Sequence, residues 1–452
     1  MKKTQDLALW ITETPFDGWS ALARERSQHA LEDFVASAIA GARTEVARKL
    51  RETLAPTGSG KASLVGGGGL RSSAAVAALI NGAIGHTAEM DDNFFPGLGH
   101  CCVVVHPALL ALGEEKGMRL SDIHDAFIVG SEVMARLGSL LTRDHTDRGW
   151  HGTSTIGALA SAAACARLLR LSPEATATAI SLALSMAAGP KAQFGYDAKP
   201  LHAGLAAQAG VQASVLAAAG LTANPEPLDD PNGYLALYGA GPDGGEALPT
   251  IGRELAIERW GLAFKRHPSC GSTHRILDAV MLLQVEEPFA VKDVTHVLAE
   301  VEFGNVVNLR YPDPRTPKEA QFSMPYCAAV VLRRGHLSLA DMTQQAVNDP
   351  ETRRLMPLVE MRALSTPSVL DPDKRPPHRV TVTLKDGRKL VREVRHPKGT
   401  GANPFSPADR EQKFHACCDG ILPNAGRDIV LKLLRADSAE ISAGALMTAL
   451  RF

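Results

Sequence analysis

The sequence predicts a mainly α protein with two parts, a large all-helical domain and a smaller α+β domain. Segments rich in Ala and Leu, separated by short Gly/Pro breaks, follow one another from residue 1 to about 265, which is typical of packed helices. Residues 294–303 and 379–384 instead alternate apolar and polar side chains, as half-buried strands do. Helical patterning then returns over residues 407–450, where Ser-Pro makes a suitable helix start.

The length of 452 residues supports two domains, because a single core rarely grows beyond about 250–300 residues. We predict an all-helical domain from residues 1–265 plus 406–452, with the α+β domain of residues 266–405 inserted into it. The stretch KDGR at residues 385–388 predicts a hairpin between two strands. Helices are expected at residues 21–40, 73–85, 155–169, 173–188 and 201–219 in the first domain, and at 272–283 and 320–333 in the second.

The composition narrows the class of function. A net charge of −1, with 45% apolar and 21% charged residues, argues against nucleic acid or an anionic membrane surface as the main partner. No run reaches the roughly 18 apolar residues of a membrane span, and the first residues do not read as a secretory signal. The seven cysteines show no C-x-x-C spacing, so we expect reduced thiols, no zinc site and a cytoplasmic protein.

The stretch DAKPLHAGLAAQAG at residues 197–210 places Lys199, Pro200 and His202 at the start of a helix that otherwise reads as buried. Proline suits the first turn of a helix, where its missing N–H group costs nothing. The residues alone favour a capped core helix with two exposed polar side chains. The alternative is an anion site, because backbone N–H groups at a helix N-terminus attract negative charge.

Two further segments carry acids and histidines. Asp91 and Asp92 follow the helix-like NGAIGHTAEM, and His100 ends the glycine-containing loop after them. Their spacing defines no metal site, and a polar loop after a helix is the simpler interpretation, although such loops often hold functional residues. His151 follows Gly149-Trp150 and precedes GTST, so a capping role competes with a catalytic one.

The stretch KRHPSCGSTH at residues 265–274 combines Lys265, Arg266 and Cys270 at the predicted domain boundary, where ligand clefts tend to form. A basic linker followed by a helix cap is the competing interpretation. Cys270 is either a core thiol or, beside two cations and a helix N-terminus, a thiol with a lowered pKa.

These pieces, in this order, resemble the MmgE/PrpD family. The resemblance extends from about residue 5 to 440 and is carried by NGAIGHTAEMDD, HPALLAL after His100, GWHGTSTIGALASAAACARLL, KPLHAGLAAQAGVQASVLAAAGLT, KRHPSCGSTH, QFSMPYCAAVVL and NPFSPADREQKF. The family includes 2-methylcitrate dehydratase, cis-aconitate decarboxylase and iminodisuccinate epimerase. The resemblance implies two domains of this kind, a small polycarboxylate substrate, neither an organic cofactor nor a required metal, and a homodimer.

The resemblance implies that the residues at the family's site positions are, in this sequence, Asp91 or Asp92, His100, His151, Lys199 and Lys265. Two positions depart from the family pattern. Cys270 stands where the decarboxylase branch has a histidine that looks catalytic, and Gln321 stands where a lysine is usual before F-S-x-P-Y.

We therefore expect a cofactor-independent dehydratase that acts next to a carboxylate of a hydroxy di- or tricarboxylate. The alternatives are an epimerase or racemase with Cys270 as acid or base, a decarboxylase, and a non-catalytic helical binding or scaffold protein. We expect the side chains to share one cleft. The predicted catalytic residues are His100, His151, Lys199, Asp91 and Cys270, and the predicted substrate-binding residues are Asp92, His202, Lys265 and Arg266, with no metal ligand.

Overall fold

The computed structural model describes residues 2–16, 18–239, 251–365 and 371–452. Within them the chain forms two compact units, and the predicted mainly α fold is confirmed. The first unit comprises Met1–Pro190, Pro200–Ala263 and Pro407–Phe452, and the second comprises Lys191–Lys199 and Phe264–Ser406. Residues 240–250, which belong to the predicted helical domain, lie outside the described residues.

The first unit is dominated by helices. Several of them begin after a Ser or Thr whose side chain accepts a backbone N–H of the first turn, as N-cap residues do; these are Ser20, Thr44, Ser73, Ser172 and Ser442. The helices up to residue 259 are α1 Lys3–Glu13, α2 Ala21–Gly41, α3 Glu45–Leu54, α4 Ala74–Thr87, α5 Cys102–Lys116, α6 Leu120–Asp147, α7 Gly152–Thr155, α8 Gly157–Leu168, α9 Pro173–Leu184, α10 Ala198–Ala218, α11 Tyr234–Tyr238 and α12 Ala256–Arg259. The short strands are β1 Ala62–Ser63, β2 Arg71–Ser72, β3 Asp92–Asn93 and β4 Ala263–Phe264, which ends where the second unit begins.

Small residues let these helices cross at short distance. A Cβ atom on Gly204 of α10 would lie 2.1 Å from the carbonyl oxygen of Leu79 in α4, and one on Gly82 would lie 3.0 Å from the Cα of Gly204. No larger residue fits at either position without moving a backbone. This crossing fixes the end of α4 and the first turns of α10 in the first unit, where His86 and His202 stand.

The second unit is a four-stranded sheet covered by helices. Its sheet has the order β6-β5-β7-β8, with β5 parallel to β6 and antiparallel to β7. Burial alternates along β7, as the sequence pattern predicts. The elements are α13 Gly271–Glu286, β5 Val294–Val301, α14 Phe303–Asn308, α15 Pro317–Ala320, α16 Met324–Arg334, α17 Gln344–Val347, α18 Pro350–Leu355, β6 Val359–Ala363, β7 His378–Leu384 and β8 Lys389–Val394.

The hairpin between β7 and β8 is confirmed, and Gly387 takes the positive φ of +86° that its turn requires. The helix predicted at residues 320–333 was placed too early, since α16 begins at Met324. Ser323 caps it by accepting the N–H of Tyr326 at 3.2 Å, and Pro325 lies in its first turn. A proline stops a helix from continuing through it from the N-terminal side.

The segment Lys191–Lys199 groups with the second unit, although the sequence pattern placed it in the first domain. The Tyr311 hydroxyl donates a hydrogen bond of 2.7 Å to the carbonyl of Phe194, and the Phe194 ring packs 5.3 Å from that of Phe322. These contacts join residues distant in sequence, which is why a linear pattern does not reveal them.

The chain returns to the first unit in α19 Pro407–Cys418, α20 Asn424–Arg435 and α21 Ala443–Ala449. Lys413 of α19 bonds to the buried carboxylate of Asp33 in α2 and donates a hydrogen bond of 2.7 Å to the carbonyl of Met90. Burial, only partly offset by Lys413, raises the pKa of Asp33 to about 7. Among the described residues, no helix combines the length and apolar character needed to cross a bilayer.

Candidate active site

Asp91 of the first unit lies between two imidazoles. Helix α4 ends just before it, and Glu89, with a φ of +54°, reverses the chain so that the carboxylate turns back toward the helix. Its Oδ2 atom lies 2.8 Å from Nδ1 of His86 and 3.0 Å from Nδ1 of His100. Asp91 and His86 are fully buried, whereas 12% of the His100 side chain is exposed. A carboxylate in this position holds imidazole tautomers and stabilises their charged forms.

The tautomer of His100 follows from its contacts. Besides Asp91, its Nδ1 atom contacts the carbonyl oxygen of Asp92, which can only accept a hydrogen bond. The proton therefore resides on Nδ1, and the lone pair of neutral His100 is on Nε2. Nε2 is the atom that can take a proton from a substrate.

Two glycines bring the His100 loop against the turn that carries His151. A Cβ on Gly99 would lie 2.6 Å from the backbone nitrogen of Thr153, and a Cβ on Gly152 would lie 2.4 Å from the carbonyl oxygen of Leu98. Side chains at these positions would push the two segments apart. The ring centroids of His100 and His151 are consequently 6.2 Å apart.

His151 precedes α7, but its side chain makes no capping hydrogen bond. Its Nδ1 atom lies 3.1 Å from Nδ1 of His202 in α10, and both rings are buried. Two ring nitrogens at this distance share one proton, so one imidazole donates and the other accepts. His86 stacks on the other side of His151, with centroids 6.1 Å apart.

Asp92 has a different environment from Asp91. Its carboxylate accepts the backbone N–H groups of Cys101 at 3.0 Å and Cys102 at 2.9 Å, at the start of α5. Burial raises the pKa of Asp92, and the His100 imidazole partly opposes that shift. Both oxygens of Asp92 therefore hold the start of α5, and its predicted substrate contact stays a prediction.

In the second unit, Lys199 lies among aromatic rings. Its ammonium group is 5.4 Å from the Phe322 centroid and 5.9 Å from that of Phe194, and the residue is 2% exposed. Lys265 is fully buried. The burial of Lys199 contradicts the interpretation that it is an exposed polar residue.

Cys270 occupies the N-cap position of the 16-residue helix α13 and is partly buried. Its backbone N–H donates to the carbonyl of Gln321 at 2.9 Å, which holds the backbone at the start of this helix. The N-terminus of a long helix favours a thiolate. This geometry suits a thiol that exchanges a proton.

Arg266 is directed to a structural partner. Its guanidinium is 43% exposed and lies 3.5 Å from Oδ1 of Asp278, which also lies 3.2 Å from Nε2 of His267. The backbone N–H of Lys398 donates to the other Asp278 oxygen at 2.8 Å. These contacts form an ion pair that secures the residues after Lys265, and the predicted substrate contact of Arg266 stays a prediction.

The predicted residues thus separate into two sets, Asp91, His100, His151 and His202 in the first unit and Lys199, Lys265 and Cys270 in the second. That both sets serve one site stays a prediction. Sequence reasoning missed His86, although it stands five residues before Asp91. In the described part of the chain, ligand nitrogens of His86, His100 and His151 all lie within 4.8 Å of one another, a group able to hold a metal ion.

Comparison with known proteins finds relatives named cis-aconitate decarboxylase. Human cis-aconitate decarboxylase is 29% identical over 427 residues, which cover 91% of this chain and 86% of the relative. The mouse protein of that name is 30% identical over 86% of this chain and 81% of the relative, and the Aspergillus terreus protein 26% over 88% and 85%. Sequence models of the MmgE/PrpD N-terminal and C-terminal domains match residues 5–246 and 267–436. The chain therefore belongs to the MmgE/PrpD family.

Proposed function

We propose that this protein is a cofactor-independent lyase of the dehydratase type that acts on a small hydroxy di- or tricarboxylate. The observation that carries the proposal is the Asp91 carboxylate bonded to Nδ1 of both His86 and His100. With its Nδ1 atom bonded to the buried carboxylate of Asp91, the partly exposed imidazole of His100 can act as a base through Nε2.

The reaction begins at a carbon next to a carboxylate. Nε2 of His100 takes the proton, and the electron pair of the broken C–H bond spreads into the carboxylate. Lys199 and Lys265 stabilise that charge, which is larger in the transition state than in the substrate. His151 then donates a proton to the β-hydroxyl, so that the C–O bond breaks, a C=C bond forms and water leaves.

Decarboxylation is a second candidate, favoured by the names of the relatives. It needs the same cations, because negative charge also develops when a C–C bond to a carboxylate breaks. Epimerisation is a third, favoured by the thiol of Cys270 at a helix N-terminus, which can return a proton to the opposite face of the carbon.

A panel of tricarboxylates, hydroxy-dicarboxylates and amino-dicarboxylates, followed by NMR in deuterated water, separates the three reactions. A dehydratase forms an alkene without losing carbon. A decarboxylase releases CO₂, and an epimerase exchanges deuterium into an unreacted stereocentre. We expect the alkene, and either other product would replace the proposal. Deuterium exchange that is abolished in Cys270→Ser would assign the second proton transfer to the thiol.

Two further experiments test the remaining parts of the proposal. A scaffold protein would show neither a product nor a rise in melting temperature with a citrate-like acid, whereas a ligand at 100 times its Kd stabilises by about 2.7 kcal/mol. We also propose a homodimer, which light scattering after gel filtration tests through the mass, since the chain is 48.0 kDa.

A further inference from the structure

The histidines around Asp91 have the donor atoms of a zinc site. His86, His100 and His151 come from a helix end, a loop and a helix start, and each offers one ligand nitrogen within 4.8 Å of the other two. Neutral imidazole suits Zn²⁺, whereas Mg²⁺ and Ca²⁺ prefer oxygen. Three protein ligands also leave the fourth tetrahedral position for water or for a carboxylate.

The partners of the Nδ1 atoms resemble the groups that orient the histidine ligands of a zinc site. A ligating histidine typically gives its other N–H group to a carboxylate or carbonyl, which orients the ring. Here Nδ1 of His86 and His100 both face Oδ2 of Asp91, and Nδ1 of His151 faces His202. The Nε2 atoms are therefore the ones that these rings would present to a metal.

The distances require only a small adjustment. Zn–N bonds of about 2.0–2.1 Å in a tetrahedron place the ligand nitrogens about 3.3 Å apart. The structure brings one ring nitrogen of each histidine within 4.8 Å of the other two, which is at most about 1.5 Å more than this spacing.

We propose that His86, His100 and His151 bind one Zn²⁺ ion, and that zinc bound there inhibits the protein. The lone pair on Nε2 of His100 that would bind zinc is the one needed to accept a proton from the substrate. Zinc and catalysis therefore exclude each other. The inhibitory part rests on the proposed function, whereas the binding part does not.

Co²⁺ replaces Zn²⁺ as a visible probe in the purified full-length chain without substrate. We expect d–d absorption that saturates at one equivalent, disappears with one equivalent of Zn²⁺, and is lost in His86→Asn and His151→Asn. Asp91→Asn should weaken binding about 10–100-fold. The exposed His336 gives the matched control His336→Asn, which should bind as the parent does. Absence of binding, or equal binding in the triad variants and the parent, would overturn the proposal.

Zinc-edge X-ray absorption on the unmodified chain keeps the test independent of how the variants fold. Three imidazoles are expected, and two or fewer, or any sulfur neighbour, would contradict the site. In the turnover assay, one equivalent of Zn²⁺ should abolish activity and a chelator should restore it. Full turnover with zinc bound would refute the inhibition alone. A chain that binds zinc but turns over no acid even in its zinc-free form would refute the proposed function alone.

Discussion

Both units contain a buried carboxylate beside histidine, yet the two groups differ in their surroundings. In the first unit, Asp91 bonds to His86 and His100, and His100 is partly exposed. In the second, Asp278 pairs with His267 and Arg266 and accepts a backbone N–H. Burial alone would raise the pKa of Asp278, but His267, that N–H and Arg266 together hold it below its usual value.

The comparison indicates that the groups around an Asp–His pair determine whether the pair has a structural or a proton-transfer role. His267, a backbone N–H and Arg266 all favour the charged form of Asp278, and burial lowers the pKa of the adjacent His274 to about 3. Asp91 instead faces two rings that can each gain or lose a proton. We infer that the Asp278 group stabilises the second unit, whereas the Asp91 group transfers protons.

Removing the base should have the largest effect. His100→Gln should lower kcat about 10²–10⁴-fold, the usual contribution of general acid–base catalysis, with little change in thermal stability. The matched variant His267→Gln removes a histidine from the other group and should leave kcat unchanged. Equal losses of kcat in the two variants would contradict the division of roles.

Lys199→Ala should lower kcat/KM at least about a hundredfold, the scale for losing one charge-stabilising donor, while circular dichroism stays unchanged. Lys199 would stabilise the negative charge that develops on the substrate carboxylate, and it would not take part in the proton transfer. The exposed Lys292 provides the control Lys292→Ala. Turnover close to normal in Lys199→Ala would remove this lysine from the mechanism.

Asp278→Asn should act on stability. We expect the free energy of unfolding of the second unit to fall by about 2 kcal/mol, because a buried charge-assisted hydrogen bond is lost. Urea denaturation measures the change, and Asp386→Asn in the exposed β7–β8 turn is the control. A loss of kcat without a loss of stability would show that this group also serves the reaction.

Acid should destabilise the protein through its buried neutral histidines. Burial lowers the pKa of His124 to about 4 and that of His274 to about 3, below the unfolded value of about 6.5. Their stabilising contribution is complete above pH 6.5 and is lost as the pH falls toward the folded values. At pH 5.5 each should have lost about 1.4 kcal/mol. His274→Gln should flatten the dependence of melting temperature on pH between 7.5 and 5.5, and a slope equal to that of the parent would contradict this assignment.

The sequence predicts helices and strands better than it predicts which side chains contact one another. Helix α10 and the β7–β8 hairpin follow from local periodicity and turn chemistry, and His100 and His151 follow from the family motifs. His86 was missed because a histidine in the last turn of a buried helix looks the same in sequence whether it packs or reacts. The pairing of Arg266 with Asp278 was not predicted, because Asp278 lies twelve residues away and no local pattern reveals it.

The positions of Lys413 and Asp33 in the sequence determine when the bond between them can form during biosynthesis. The ribosome makes the segment carrying Asp91 early, but Lys413, which also holds the carbonyl next to Asp91, emerges only after the whole second unit has been translated. Until then Lys413 cannot bond to Asp33 or to the backbone beside Asp91, and this is the interval in which chaperones would engage the nascent chain.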